Sequence, residues 1–264
     1  MKKLLLIISV IFSFTYQGYT KADALIGEIR KDEFTNKRPQ VIDSVTRLGI
    51  KGATVSLPTE SKIDKTDENG YFKITPTGKS PVILSVQKEG YRPFSLTLQD
   101  GKLTGGISIE LEKISPFETV ITNELLHLGD NSYSENSSGA CQIYSPCVGP
   151  SFTKNFYVGK ITPKTKAYVW IGSVIGIDTV QAMRLGQNRL TTATSTPMEI
   201  FINKTKIGEL KINGDNQKIP IPEKFLKKLS DNELTVRTGK NKNAKDYTDY
   251  DDVQLMNLIV EVQN

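Results

Sequence analysis

The sequence contains few of the residues that common catalytic and metal sites use. Its 264 residues include one histidine, two cysteines and one tryptophan. A hydrolytic zinc site commonly takes two histidines and a glutamate, so a single histidine argues against one. The Gly-x-Ser-x-Gly nucleophile elbow and the phosphate-binding Gly-x-x-x-x-Gly-Lys loop are also absent. We therefore expect no enzyme activity. A hydrolase with paired carboxylates ranks as the last alternative, because the spacing of such a pair is three-dimensional.

Strong charge and long apolar runs are scarce as well. The formal net charge is +5, and lysines are scattered among acidic residues, which disfavours a nucleic-acid footprint. Beyond the first residues, no apolar stretch reaches the roughly 20 residues that a membrane span needs. The sequence thus predicts no nucleic-acid partner and no membrane span in the processed chain.

Residues 1–24 have the layout of a secretory signal peptide. Lys2 and Lys3 precede an apolar run from Leu4 to Phe14, and Ala22-Asp23-Ala24 offers small residues for cleavage. An uncleaved anchor is the alternative, whereas the lack of a nearby cysteine excludes a lipoprotein anchor. We expect a periplasmic, secreted or cell-surface protein. Cys141 and Cys147, an even count in an exported chain, then predict a disulfide.

The remaining pattern predicts an all-β protein of two domains. Short runs rich in Val, Ile, Thr, Tyr and Phe alternate with Gly, Asn, Asp and Pro, whereas helical periodicity is almost absent. Pro116 cannot continue a central strand, so we place the domains at residues 25–113 and 117–264.

The first domain has one strong turn signal among several predicted strands. Asn69-Gly70 predicts a tight turn, after which Phe72 and Ile74 begin an inward-facing side. The predicted strands are 25–29, 49–57, 82–87, 91–98 and 107–111, with a turn-rich insertion from about residue 30 to Leu48.

The first domain resembles the carboxypeptidase regulatory-like domain. The resemblance rests on Gly-Ala-Thr-Val-Ser-Leu, Thr-Asp-Glu-Asn-Gly-Tyr-Phe and Val-Gln-Lys-Glu-Gly-Tyr, and the insertion from Phe34 to Leu48 departs from it. It implies a transthyretin-like, immunoglobulin-type β-sandwich that acts as a scaffold or spacer. In metallocarboxypeptidases the catalytic zinc belongs to a separate domain, so catalysis is not carried over.

The second domain has longer strands and loops. Predicted strands are 152–158, 167–171, 198–202, 207–212, 234–238 and 253–262, with a turn at Asn203-Lys204 and one short helix over Pro222–Leu229. The order of the segments 198–210, 229–236 and 250–262 is similar to the galactose-binding-like jelly roll of carbohydrate-binding modules. A generic sandwich is the alternative.

An acidic, aromatic loop over residues 246–252 is the candidate metal site. Calcium takes six to eight oxygen ligands, which clustered carboxylates and carbonyls supply. Jelly rolls of the resembled kind often hold a structural calcium between their first and last strands, which here pairs Asp130 with Asp251 or Asp252. The alternative is a solvated acidic turn.

Aromatic side chains are the candidate sugar platform, since sugars stack their C–H faces on aromatic rings. Tyr168 and Trp170 are two apart on a predicted strand and share a face opposite the apolar Ala167, Val169 and Ile171. The alternative is that Trp170 fills the core. Loop tyrosines, namely Tyr133, Tyr144, Tyr247 and Tyr250, are further candidate ligand contacts.

His127 lies among apolar residues and is expected to be structural rather than a ligand or base. Together these features predict an exported, non-catalytic binding protein for carbohydrate or polysaccharide at a bacterial envelope. The alternative partner is an envelope protein, as for an adhesin or assembly component.

Overall fold

The computed structural model describes residues 38–77, 81–103, 106–132, 136–137, 146–187 and 193–263. The predicted all-β class is confirmed: strands dominate and form two successive sandwiches. Predictions for residues 1–37, including the signal peptide and the first strand, lie outside the described residues. Within the described part, no helix has the length and apolarity that crossing a bilayer requires.

The N-terminal sandwich contains six described strands. They are β1 (Gln40–Asp43), β2 (Thr54–Leu57), β3 (Lys62–Lys65), β4 (Val82–Gln87), β5 (Phe94–Leu98) and β6 (Ser108–Leu111). One sheet has the order β3-β2-β4-β5, and β1 pairs in parallel with β6. Alternate residues such as Val55, Leu57 and Leu84 point inward and meet Val41 and Ile109 from the other sheet in a single apolar core.

Two local predictions for this sandwich were wrong in detail. The segment expected to be a turn-rich insertion contains strand β1, because its apolar residues Val41 and Ile42 are buried against the core. The strand expected over 49–57 begins only at Thr54, since Gly52 adopts a positive φ of 65° that interrupts an extended chain. Phe72 is buried as predicted.

The C-terminal sandwich contains eight described strands. They are β7 (Glu118–Leu128), β8 (Ser151–Val158), β9 (Lys166–Ile175), β10 (Met198–Ile202), β11 (Thr205–Leu210), β12 (Gly214–Ile221), β13 (Ser230–Arg237) and β14 (Val253–Gln263). The two sheets have the orders β12-β9-β14-β7 and β11-β10-β13-β8. The first strand thus pairs with the last, the second with the seventh and the fourth with the fifth, which is the order of an eight-stranded jelly roll.

The turn at Asn203-Lys204 is confirmed, whereas the helix expected over Pro222–Leu229 was wrong. Both turn residues have positive φ, as a tight hairpin requires. Of the expected helix, only a 3-10 turn over Glu223–Phe225 forms. Side chains take the backbone groups that a helix would use: Asn203 Nδ2 donates to the Phe225 carbonyl, and the Asn232 amide pairs with both backbone groups of Lys227. The one described α-helix is α1 (Val180–Arg184), capped by the Thr179 hydroxyl.

The two sandwiches meet through polar and apolar contacts. The Thr97 amide and hydroxyl donate to the Asp215 carboxylate, at 3.0 and 2.6 Å. The Ser173 hydroxyl donates to Ser95 Oγ at 3.0 Å. A small apolar cluster joins Ile83 to three residues of the jelly roll: Leu125, Ile175 and Met256. Strand β5 therefore lies against the outer face of the sheet β12-β9-β14-β7.

Candidate functional site

A cleft lies at this junction, and we call it the junction cleft. Its volume is about 280 Å³, just below the usual range of small-molecule sites of about 300 to 1,000 Å³. Strand β5 and the segments beside it form one wall, and strands β9, β12 and β14 form the other. Both sandwiches therefore contribute to one small concave surface.

Trp170 lies in the wall that the jelly roll contributes. Ala167, Val169 and Ile171 point into the jelly-roll core, so Tyr168 and Trp170 lie on the outer face of the sheet and are half-buried. The structure thus places the pair on the face that the sequence pattern indicated. Trp170 alone of the two lines the junction cleft.

Charged groups surround the indole ring of Trp170. Its Nε1–H donates to Glu261 Oε2 at 2.7 Å. The Arg92 guanidinium and the Lys218 ammonium each lie 4.3 Å from the ring centroid, and Lys218 also lies 3.6 Å from that of Tyr168. Cation–π contacts of this kind fix the orientation of an aromatic ring. Trp170 is therefore held in place by groups from both sandwiches.

Beside Trp170, three residues lie in line across neighbouring strands, and we call them the unpaired row. Asn216 of β12, Gly172 of β9 and Asn257 of β14 have no residue-to-residue pairing, although their neighbours on both sides pair in register. Both asparagines have positive φ, 52° and 61°, a conformation that asparagine tolerates better than most residues. All three line the junction cleft.

Asn257 is the most unusual residue of this row. Its side chain is fully buried, yet within the described part of the chain neither Oδ1 nor Nδ2 has a hydrogen-bond partner. Leaving such a group unpaired costs about 1–3 kcal/mol, so native proteins rarely do so. Asn257 thus carries a buried donor and a buried acceptor beside a cleft, and no described protein group bonds to either.

Gly172 makes room for this amide. A Cβ atom at Gly172 would lie 2.4 Å from Ser95 Oγ and 2.8 Å from Asn257 Cβ. Glycine inside a strand often marks a point where another group approaches the backbone closely. Here it allows both β5 and Asn257 to approach strand β9.

Acidic side chains of the cleft are largely occupied. Both Asp215 oxygens accept from Thr97, and Glu110 forms an ion pair with Arg47 at 2.5 Å. These contacts leave Glu112, which is exposed, as the remaining described carboxylate in the lining.

The other two predicted sugar contacts lie elsewhere. Trp170 pairs with Ile259 on β14, and Tyr247 and Tyr250 precede Val253 at the start of that strand. The six residue steps from Val253 to Ile259 span about 20 Å, so the structure does not bring the two pairs of aromatics together. Tyr247 is exposed and Tyr250 half-buried. Tyr133 and Tyr144 lie outside the described residues.

The predicted calcium residues gather at that far end of the jelly roll. Asp130 lies beside the 250–252 segment, where its Oδ2 accepts from the Tyr250 amide at 2.7 Å. Asp251, also buried, accepts from the Ser195 hydroxyl and the Asp178 amide. Both carboxylates thus already accept hydrogen bonds from protein donors.

Asp252 has a side-chain partner at one of its two carboxylate oxygens. Its Oδ1 lies 2.9 Å from His127 Nε2, and its buried Oδ2 has no partner among the described residues. Burial raises the pKa of the Asp252 carboxyl, and the carboxylate of Asp130 raises it further, against the lowering effect of His127. His127 is buried on strand β7 and pairs with this carboxylate, as a structural histidine does.

No metal-binding group emerges from this end of the molecule. In the ranges that the structure describes, no three His, Cys, Asp or Glu side chains lie together as a ligand set. The orphan Asp252 Oδ2 is the one local feature that favours a cation. Calcium therefore stays a prediction. So does the disulfide, since Cys141 lies outside the described residues.

A larger cavity on the other side of the junction has a different character. Its volume is about 820 Å³, and Gln87 and Asn123 are among its lining residues. These two residues hydrogen-bond to each other. Gln87 Nε2 donates to the backbone carbonyl of Asn123 at 2.7 Å, and Asn123 Nδ2 donates to Gln87 Oε1 at 2.9 Å. Its central amides are thus satisfied within the protein, unlike Asn257.

Sequence reasoning missed Arg92, Gly172, Asn216 and Asn257. Two of them carried a signal: Gly172 interrupts the apolar strand after Trp170, and Asn257 interrupts the apolar run from Val253 to Val262. Both residue types are depleted in strand interiors and mark irregularities there. Arg92 gave no such signal, because its role depends on how the two sandwiches pack.

Comparisons with known proteins give no family. No family model and no curated protein matches the chain. Among solved structures, a glycosyl hydrolase family 2 member from Bacteroides cellulosilyticus aligns at 10% identity and a TM-score of 0.29, covering 56% of this chain and 21% of its own. A β-porphyranase of glycoside hydrolase family 86 from Bacteroides plebeius aligns at 10% identity and 0.28, covering 81% and 30%.

A third structure is of similar length. It is a protein from Bacteroides uniformis that has been proposed to bind carbohydrate, aligned at 10% identity and a TM-score of 0.19 over 84% of this chain and 95% of its own. The chain spans less than a third of the length of the two hydrolases. Likenesses at these scores carry no argument about function, which must come from the site itself.

Proposed function

We propose that this chain is an exported, non-catalytic carbohydrate-binding protein and that the junction cleft is its binding site. The observation that carries the proposal is the pairing, in one cleft, of an aromatic side chain with a buried amide that lacks partners. Carbohydrate sites combine these two elements, because a sugar offers both apolar C–H faces and a ring of hydroxyl groups.

Two of the three described carboxylates in the lining, Asp215 and Glu110, are engaged by protein groups, which supports binding without catalysis. A general acid or base must be free to exchange a proton with the substrate. Asp215 instead ties the two sandwiches together, and Glu110 is paired with Arg47.

Glycan binding by the Trp170→Ala variant tests the proposal. We expect the wild-type chain, without residues 1–24, to bind at least one member of a panel of glucans, galactans, mannans and xylans. Trp170→Ala should weaken that binding at least tenfold in isothermal titration, because it removes the aromatic wall of the cleft.

Tyr157→Ala is the matched control. Tyr157 is an aromatic residue 60% exposed on β8, in the sheet that does not line the cleft. We expect its loss to leave affinity unchanged. Absence of binding to every member of the panel, or turnover of any of them by the purified chain, would contradict the proposal.

A second candidate function is protein binding at a surface assembly. One observation favours it: the sheet β11-β10-β13-β8 presents an outer face that carries Tyr157 and the half-buried Phe201. An isolated envelope complex that loses this subunit on Tyr157→Ala, together with no glycan binding, would favour this second function.

A further inference from the structure

We propose that the Asn257 amide determines specificity by binding two adjacent hydroxyl groups of one sugar ring. This inference rests on the proposed function, because it concerns the same cleft. It adds the group on the ligand that is recognised, a neutral vicinal diol, and the residue that recognises it.

The chemistry follows from what an asparagine side chain offers. Its Nδ2 donates and its Oδ1 accepts, and the two atoms point in nearly the same direction. Vicinal hydroxyls match this pair, since one can accept from Nδ2 while the other donates to Oδ1. A carboxylate or phosphate ligand could only accept, which would leave Oδ1 facing another acceptor. The Asn257 amide thus favours a neutral diol over an anionic group.

The backbone at Asn257 departs from that of a regular strand. Asn257 has a φ of 61° in the middle of a central strand, where a regular residue would be extended. At the same point the pairing of β14 with β7 shifts register. Such irregularities redirect a side chain and cost stability, and they concentrate at functional sites. Here the irregularity coincides with the unpartnered amide and the glycine opposite it.

The surroundings complete a small polar subsite. Asn216, the second asparagine with positive φ, lies across Gly172 from Asn257 and is exposed at the rim. Trp170 is two residues from Gly172 on the same face of β9. A ring whose hydroxyls reach Asn257 therefore has an aromatic side chain beside it.

Deoxy sugars test the inference directly. The probe is the methyl glycoside of the sugar that the wild-type chain binds, measured by titration together with its monodeoxy analogues. In the wild type we expect removal of either of two adjacent hydroxyls to weaken binding about 10- to 100-fold, because a buried polar atom is left unpaired. In Asn257→Gly, which accepts the positive φ, those two penalties should vanish.

Lys204→Gly is the matched control, because Lys204 also has a positive φ, of 67°, and is exposed in the turn between β10 and β11, outside the cleft lining. We expect it to keep both penalties. Asn257→Asp, which is isosteric and tolerates the same φ, replaces the glycine variant if that variant does not fold. Its carboxylate can only accept, so the hydroxyl that accepts from Nδ2 must donate instead, and the penalty at that hydroxyl should change while the penalty at the other is kept.

Two failures are distinguishable. A wild-type chain that binds no glycan overturns the proposed function and this inference with it. A wild-type chain that binds, loses affinity on Trp170→Ala, but keeps its deoxy penalties in Asn257→Gly overturns the diol assignment alone. A buried water that satisfied Asn257 permanently would give that second result.

Discussion

The two sandwiches treat their buried polar side chains differently. In the N-terminal sandwich, Asp43 Oδ1 accepts from the Val45 and Thr46 amides and its Oδ2 from the Tyr91 hydroxyl. In the C-terminal sandwich, Asp252 and Asn257 each retain buried atoms without partners, and all such atoms found among the described residues belong to these two.

This difference agrees with the roles that we propose for the two sandwiches, a scaffold and a binding unit. A buried polar group that is hydrogen-bonded within the fold stabilises the fold. One that is left unpaired lowers the free energy of unfolding, and a ligand that bonds to it restores that loss. Both orphan residues belong to strand β14 or to the residue before it. We therefore expect stability to depend on the polar groups of the first sandwich and binding to depend on those of the second.

The largest expected effect is a loss of stability when a buried polar group of the first sandwich is removed. The Thr66 hydroxyl is buried, accepts from the Ala53 amide at 2.8 Å and donates to the Ile50 carbonyl at 2.6 Å. Thr66→Val keeps the shape but leaves both backbone groups unpaired, so it should lower the free energy of unfolding by about 2 kcal/mol. Urea denaturation measures this. Thr153→Val, at an exposed hydroxyl on β8, should change it by less than about 0.5 kcal/mol.

An intermediate effect of opposite sign is expected at Asp252. Asp252→Asn removes a buried charge whose Oδ2 no described group serves, so we expect the free energy of unfolding at pH 7 to rise by about 1 kcal/mol. In the wild type, the raised pKa means that the folded state holds its proton longer than the unfolded state. Stability from this group should therefore fall as pH rises above 3.8, and the variant should lack that fall.

The same variant tests the predicted calcium. Calcium bound at Asp252 would raise the melting temperature of the wild type and would no longer do so in Asp252→Asn. A wild type whose melting temperature is unchanged by millimolar calcium would remove the metal from this end of the jelly roll.

The smallest effect is confined to acid pH and concerns Asp43. Hydrogen bonds from the Thr46 amide, the Tyr91 hydroxyl and the Val45 amide hold its pKa at about 2, below its ordinary 3.8. Its contribution is therefore present above pH 3.8 and lost as pH falls toward 2. Asp43→Asn should flatten that part of the stability profile, measured by thermal melts between pH 2 and 5. A profile that keeps the wild-type slope would break the comparison.

Sequence patterns predicted the fold well where burial alternates along a strand. Met198–Ile202 was predicted to the residue, because every second side chain enters the core. Pro222–Leu229 was predicted wrongly, because the hydrogen bonds that decide it come from Asn203 and Asn232, which approach only in the folded protein.

Only one wall of the junction cleft, the one that the jelly roll contributes, could be predicted from the sequence. Trp170 was placed on the outer face because its alternation with Val169 and Ile171 is local. The contact with Arg92, the opening over Gly172 and the orphan amide of Asn257 all depend on packing between strands or between sandwiches. Periodicity along one strand contains no information about such packing.

The position of the unpaired row has a kinetic consequence. Its three residues belong to adjacent strands of one hydrogen-bonded sheet, so its backbone is held in place before any ligand arrives. A site of this kind loses little conformational entropy on association. Because the Asn257 amide is fully buried, its exposure must precede contact with a ligand, so the rate of complex formation should reach a plateau at high ligand concentration.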